Sequence, residues 1–249
     1  MLTPFDEELF VGSRFAERYQ ILSVVGRGSM GVVYKARHEL MGRLVAIKML
    51  RGQLLRDERS VKRFEREARA TSRLDHPNVI AVHDFGLTEN RQPYLVMDFA
   101  SGVTLYEIQK RERILAPQRA VHIFSQVCDA LQHAHLQGVI HRDLKPSNIM
   151  VMSRENDHDY VKVFDLGVAK VAWGEEEEKE ALTGTGEVCG SPIYLSPEQC
   201  KHDPLDHRTD IYSLGVVMYE LLTGMPPLMG ETAYDTIYLH AHEEAPAFA

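Results

Sequence analysis

The pattern of apolar and polar positions divides the chain into two differently built parts. From residue 19 to 36 apolar and polar residues alternate around a cluster of glycines, which predicts two short strands. After the Met41-Gly42 turn, residues 44–50 predict a third. Between 58 and 74 the repeat changes to steps of three and four, so Val61, Phe64, Ala68, Thr71 and Leu74 share one face of a predicted helix that ends at His76-Pro77-Asn78. Two more strand-like runs, 79–85 and 94–99, lead to Ala100-Ser101-Gly102, where the pattern breaks.

Beyond that break the periodicity is helical. Pro117 suits a first helical position and Gly138 a left-handed stop, and they bracket a stripe of Ala120, Val121, Phe124, Val127, Leu131 and Ala134. Residues 211–223, before Gly224, are apolar on most sides, which predicts a central, buried helix. The expected class is α+β: an antiparallel sheet with one helix, then a mainly helical part. The boundaries fall at 1–18 (a tail), 19–97 (first lobe), 98–102 (hinge) and 103–249 (second lobe). There is no internal repeat, and the one low-complexity feature is Glu175-Glu176-Glu177-Glu178.

Composition removes several function classes. With 36 acidic against 28 basic residues and a formal charge of −8, the chain lacks the cationic excess that a nucleic-acid binder needs. Cys128, Cys189 and Cys200 are an odd number at no zinc spacing, so reduced thiols in a cytosolic setting are expected. Asp6, Glu7 and Glu8 stand where a secretory signal would be basic, and no apolar run approaches the length of a membrane span. These features predict a cytoplasmic segment without membrane contact of its own, compatible with being the cytosolic part of a longer, membrane-anchored protein.

Chemistry is concentrated in a few short stretches. Gly26-Arg27-Gly28-Ser29-Met30-Gly31 fits either a dinucleotide fingerprint or a phosphate-covering hairpin. The first must open a helix, whereas here Val32-Val33-Tyr34-Lys35-Ala36 continues as a strand. Glycines at a hairpin tip let backbone N–H groups approach phosphates. Lys48 lies in an apolar strand, and Glu67 lies on the inward stripe of the helix while Glu65 does not, so Lys48 and Glu67 are expected to pair. His141-Arg142-Asp143-Leu144-Lys145-Pro146-Ser147-Asn148 then gathers an imidazole, a guanidinium, a carboxylate, an ammonium and an amide in one loop. Asp165-Leu166-Gly167 follows the predicted strand Val161-Lys162-Val163-Phe164, and with Asn148 it offers oxygen donors for magnesium.

In these motifs the chain resembles the eukaryotic-type protein kinases, and the resemblance runs from about Tyr19 to its end. It is most similar to the bacterial Ser/Thr kinases of this bilobal fold, through Val96-Met97-Asp98-Phe99 and Gly102-Val103-Thr104-Leu105. The resemblance implies ATP and Mg²⁺ as cofactors. The loop Gly26, Arg27, Gly28, Ser29, Met30 and Gly31 would cover the phosphates; Val33, Ala46 and Met150 would sandwich adenine; and the hinge residues Met97, Asp98, Phe99 and Ala100 would line its edge. Lys48, paired with Glu67, would hold the α- and β-phosphates, and Asn148 and Asp165 the metal. Asp143 would accept the proton of the substrate hydroxyl, and Lys145 would steady the transferring group. A lysine two residues after that aspartate implies serine or threonine acceptors on protein substrates. Thr183 and Thr185 stand where activation loops are phosphorylated, and their autophosphorylation would call for a kinase–kinase dimer.

Some positions depart from the family pattern. Leu166 and Ser196 stand where Phe and Ala are usual, and Thr71 where a larger apolar residue is common. After residues 232–240 the chain stops, whereas the family continues, so the second lobe is expected to be incomplete and Glu198 to lack its usual arginine. The competing readings are a scaffolding pseudokinase, a Rossmann-type oxidoreductase and a histidine-based metal hydrolase. Against them stand, in turn, the presence of Lys48, Asp143, Asn148 and Asp165, the strand after Gly31, and the absence of any ligand-spaced histidine cluster.

Overall fold

The computed structural model describes residues 9–28, 31–51, 58–167 and 192–247. Ser29, Met30, Cys189, the glutamate run, Thr183 and Thr185 lie outside them. The described residues form two compact units, one holding those up to Asp75 together with Ile80–Ala100, the other His76–Val79, Ser101–Gly167 and the residues from 192 onward.

The first unit is an antiparallel sheet of β1 (Arg14–Phe15), β2 (Tyr19–Gly28), β3 (Gly31–His38), β4 (Leu44–Leu50), β5 (Val82–Leu87) and β6 (Pro93–Asp98), in the order β1-β2-β3-β4-β6-β5. Strand alternation sorts its side chains. Tyr34, Val45, Ile47, Met49 and Val96 are buried together with Phe15, Tyr19 and Ile21, and the Phe15 and Tyr94 rings meet edge to face at 4.9 Å. Each such buried large side chain contributes about 1.5–3 kcal/mol. Helix α1 (Glu58–Thr71) buries Phe64, Ala68 and Thr71 as the stripe predicts, and sets Phe64 edge-on to Phe85 at 6.4 Å.

The second unit has a small sheet, β7 (Val103–Thr104), β8 (Ile149–Arg154) and β9 (Asp157–Val163), and five helices among its described residues. They are α2 (Leu105–Glu112), α3 (Pro117–Leu136), α4 (Pro197–Lys201), α5 (Arg208–Thr223) and α6 (Ala233–His242). Capping boxes open three of them, built from Thr104 and Glu107, Ser196 and Gln199, and Thr232 and Asp235. Gly138 and Gly224, at φ of 73° and 84°, stop α3 and α5 as predicted. No helix among the described residues is long and apolar enough to cross a membrane.

Two expectations are corrected here. Val121 is 69% exposed; Ile123 and Ala130 occupy the inner face of α3, because Val121 lies a quarter turn off the line through Ala120, Phe124 and Leu131. Residues 76–79 join the second unit, not a strand of the first. Asn78 Nδ2 donates to Val161 O at 2.9 Å and Gln126 Oε1 at 3.0 Å, Val79 bridges Val163, and β5 starts only at Val82.

Candidate active site

In the first unit the register of β3, β4 and β6 assembles one face. Val33 stands opposite Lys48, Lys48 opposite Leu95, and Ala46 opposite Met97, so these side chains share the face that the aromatic core does not occupy. Lys48 is only 6% exposed. Past Met97, Asp98 N–H donates to Ala81 O at 3.0 Å and Asp98 Oδ1 lies 2.6 Å from His83 Nε2. Lys35 places its ammonium 4.5 Å from the centre of the Phe99 ring. The adjacent backbone of Phe99 and Ala100 makes no hydrogen bond among the described residues.

The glycines of the hairpin differ in what holds them. Gly26 pairs with Val33, Arg27 with Val32 and Gly28 with Gly31 across β2 and β3. A Cβ on Gly31, whose φ is +147°, would stand 1.9 Å from Met49 O, so the strand pairing itself demands glycine there. At Gly26 and Gly28 no atom of the other described residues, chain neighbours aside, lies within 4 Å of a built Cβ, and neither has a positive φ. Packing among the described residues gives no reason for glycine at those two positions.

Glu67 departs from expectation. It is half-buried on α1, as its place on the stripe implies, but its Oε1 accepts from Arg66 Nε at 3.3 Å and Arg66 NH2 at 3.1 Å, and not from Lys48. The neighbouring guanidinium reaches the carboxylate along the helix surface, which needs no movement of α1.

In the second unit the loop after α3 is held from several sides. Its main anchor is Asp210 on α5, whose side chain is 1% exposed. Asp210 Oδ2 accepts from the His141 amide at 2.8 Å and lies 2.7 Å from His135 Nε2, while Oδ1 accepts from the Arg142 amide at 2.9 Å. Burial alone would push this carboxyl's pKa up; the His135 hydrogen bond, the His141 charge and the two amides outweigh it and hold the pKa below the ordinary aspartate value. Arg142 sits at φ +63°, unusual for a non-glycine residue, and Gln199 Nε2 fixes its carbonyl at 2.8 Å. His141 is fully buried, with Nε2 3.0 Å from Phe164 O and Nδ1 3.4 Å from the Asp143 amide. The Phe164 carbonyl takes a hydrogen bond from Nε2, and Nδ1 faces the Asp143 N–H.

That support brings three of the predicted residues together. Lys145 Nζ donates to Asp143 Oδ2 at 2.7 Å, and Asn148 Nδ2 to Asp143 O at 2.8 Å and Oδ2 at 3.3 Å. The single turn Pro146–Asn148 carries Asn148 to the start of β8. Because Ile149 pairs with Val163 and Phe164 N–H donates to Asn148 O at 3.1 Å, Asn148 and Asp165 lie at the ends of adjacent strands. Asp165 has φ +62°, with the Gly167 amide donating to its carbonyl at 2.7 Å, and Gly167 at φ +57° passes so close to Ile140 O that a Cβ would stand 2.9 Å away. The donors Asn148 and Asp165 are the oxygen type a hard divalent cation takes. Met150, opposite Thr104 and Lys162, lies on the face of β8 away from buried Ile149 and Val151.

Sequence reading missed Asp210, Gln199 and His135. A carboxylate in the first turn of a helix otherwise apolar on most sides was the available signal for Asp210. Glu198, expected to lack its usual arginine, accepts from Thr209 Oγ1 at 2.6 Å.

The protein kinase domain family matches residues 19–247. The chain is 46% identical over 246 residues to serine/threonine-protein kinase pkn3 of Myxococcus xanthus, covering 99% of this chain and 45% of that protein. It is 40% identical over 235 residues to serine/threonine-protein kinase PknB of Mycobacterium tuberculosis, covering 93% and 36%. It therefore spans less than half the length of these relatives. The crystal structure of the Mycobacterium tuberculosis PknI kinase domain matches with a TM-score of 0.72 at 27% identity, over 89% of this chain and 80% of that one. With the loop around Asp143, the strand-end pair Asn148 and Asp165 and the Lys48 face in place, these matches show that the chain belongs to the protein kinase domain family.

Proposed function

We propose that the chain transfers the γ-phosphoryl group of ATP to serine or threonine hydroxyls of protein substrates. One observation carries the reading: Asp143 Oδ2 held 2.7 Å from Lys145 Nζ on a loop that buried Asp210 fixes through two backbone amides. A carboxylate with an ammonium at that distance takes up a hydroxyl proton while the cation faces the charge of a moving phosphoryl group. Gly26 and Gly28 support it, since backbone without a Cβ at a hairpin tip lets N–H groups approach phosphates, and among the described residues nothing fills the space beside either.

In this reading the substrate hydroxyl gives its proton to Asp143, its oxygen bonds the γ-phosphorus, and the bond from that phosphorus to the β–γ bridging oxygen breaks, releasing ADP. Lys48 binds the α- and β-phosphates, the backbone of Phe99 and Ala100 the adenine edge, and Val33, Ala46 and Met150 its faces. Asn148 and Asp165 would hold Mg²⁺, which neutralises phosphate charge. Thr183 and Thr185 remain the proposed autophosphorylation sites. The test is transfer of radiolabel from γ-labelled ATP by the wild type and by Asp143→Asn. A loss of about a hundredfold or more is expected from removing the base, and equal labelling by the two chains would overturn the assignment.

A further inference from the structure

The outer face of α1 and the turn that follows it carry an uninterrupted row of cations. Arg59, Lys62, Arg66, Arg69 and Arg73 follow one another at steps of three, four, three and four, and all five are exposed. They lie opposite the buried line of Phe64, Ala68 and Thr71. Such spacing sets each cation beside the next, and like-charged neighbours three or four residues apart destabilise a helix. Arg59 and Lys62 also stand near the helix N-terminus, where the macrodipole disfavours positive charge. Glu58 and Glu65 each precede a member of the row by four residues, yet among the described residues Arg66 alone of the five has a carboxylate partner, Glu67. A merely solvated face is more stable with alternating signs, so this arrangement is unfavourable for the helix alone and favourable for an anionic partner.

The chain carries a complementary segment. Glu175, Glu176, Glu177, Glu178 and Glu180 present five carboxylates within six residues, against five cations, in a protein with a formal charge of −8. We infer that the cationic row on α1 is a docking surface for the acidic run of a second copy of this chain. A two-fold pair satisfies both rows and both runs at once and closes at a dimer. The interaction is electrostatic and solvent-exposed, so salt screens it. It goes beyond the catalytic reading and its readout involves no phosphoryl transfer, so either can fail without the other.

The experiment is sedimentation velocity of the intact chain at about 50 mM and about 500 mM salt, where the Debye length falls several-fold. Self-association is expected at low salt and its loss at high salt. Lys62→Glu/Arg69→Glu/Arg73→Glu and, separately, Glu175→Lys/Glu176→Lys/Glu178→Lys should each weaken it by at least about tenfold. Mixing the two reversed chains should restore it, which only a contact between copies can do. A fluorescent peptide of residues 172–181 should bind the wild type and lose binding to the α1 variant, with circular dichroism confirming that the variant remains folded. Three results would each overturn the inference: a wild type monomeric at low salt, an α1 variant that associates as tightly as wild type, or binding of the row to anionic vesicles without binding of the peptide.

Discussion

Asp210 and His141 are 69 positions apart in the chain and 2.8 Å apart in the fold, the buried carboxylate accepting from the His141 backbone amide. The same group takes the Arg142 amide at 2.9 Å, and so holds the backbone immediately before Asp143 in a conformation that φ +63° at Arg142 makes unfavourable by itself. Replacing Asp210 by Asn puts an amide N–H against a backbone N–H in a buried place. The expected cost is about 2–4 kcal/mol of stability, read by urea unfolding, together with a fall in kcat. An unchanged midpoint would show that the loop is held by other contacts.

The same carboxylate predicts an acid limb. Its pKa in the folded chain lies below the ordinary 3.8, so folding binds fewer protons there than the unfolded chain does. The stabilisation is therefore present above that unfolded value and is lost as pH falls through the folded one. Unfolding free energy should drop below about pH 4 in the wild type, with a shallower slope in Asp210→Asn. Parallel pH curves for the two chains would contradict it.

Lys145→Met keeps the length of the side chain and removes the cation 2.7 Å from Asp143. Under the proposed mechanism kcat falls about 10²–10³-fold while KM for ATP changes little, since the charge is needed where the phosphoryl group moves. A rise in KM with kcat intact would instead make Lys145 a ground-state binding residue.

The contact between Arg66 and Glu67 is exposed on its cationic side, where Arg66 is 73% accessible. Pairs of this kind are worth about 0–1 kcal/mol. Arg66→Ala should leave stability nearly unchanged and free Glu67 for Lys48, raising transfer activity by at most about fivefold. A tenfold loss would mean that the guanidinium itself serves catalysis.

Two glycines in one hairpin should respond oppositely. Gly31→Ala drives a Cβ into Met49 O and should cost more than about 3 kcal/mol by forcing β3 away from β4. Gly28→Ala meets no atom of the other described residues and should stay within about 1 kcal/mol of wild-type stability, yet raise KM for ATP. Thermal melts and steady-state kinetics on both variants separate packing glycines from ligand-facing ones.

Periodicity reached the elements well where one face of each is buried. Leu44–Leu50 forms the predicted strand, α3 starts at Pro117, and α5 ends before Gly224. It was less able to rank neighbours on a helix, since Val121 and Ile123 are both apolar and only the packing against α3 selects the second. It also misassigned residues 79–81, because an apolar run does not say which sheet will accept it.

What this sequence determined by itself is local: the strand and helix periods, the glycine stops, and the short motifs that make Lys48, Asp143, Lys145, Asn148 and Asp165 the proposed site residues. Tertiary structure alone decided which distant groups met. It placed Asp210 and Gln199 on the backbone beside Asp143, and Thr209 on Glu198. The physical reason is that a buried polar group must find a partner, while the choice among partners many residues away depends on packing that no local pattern encodes.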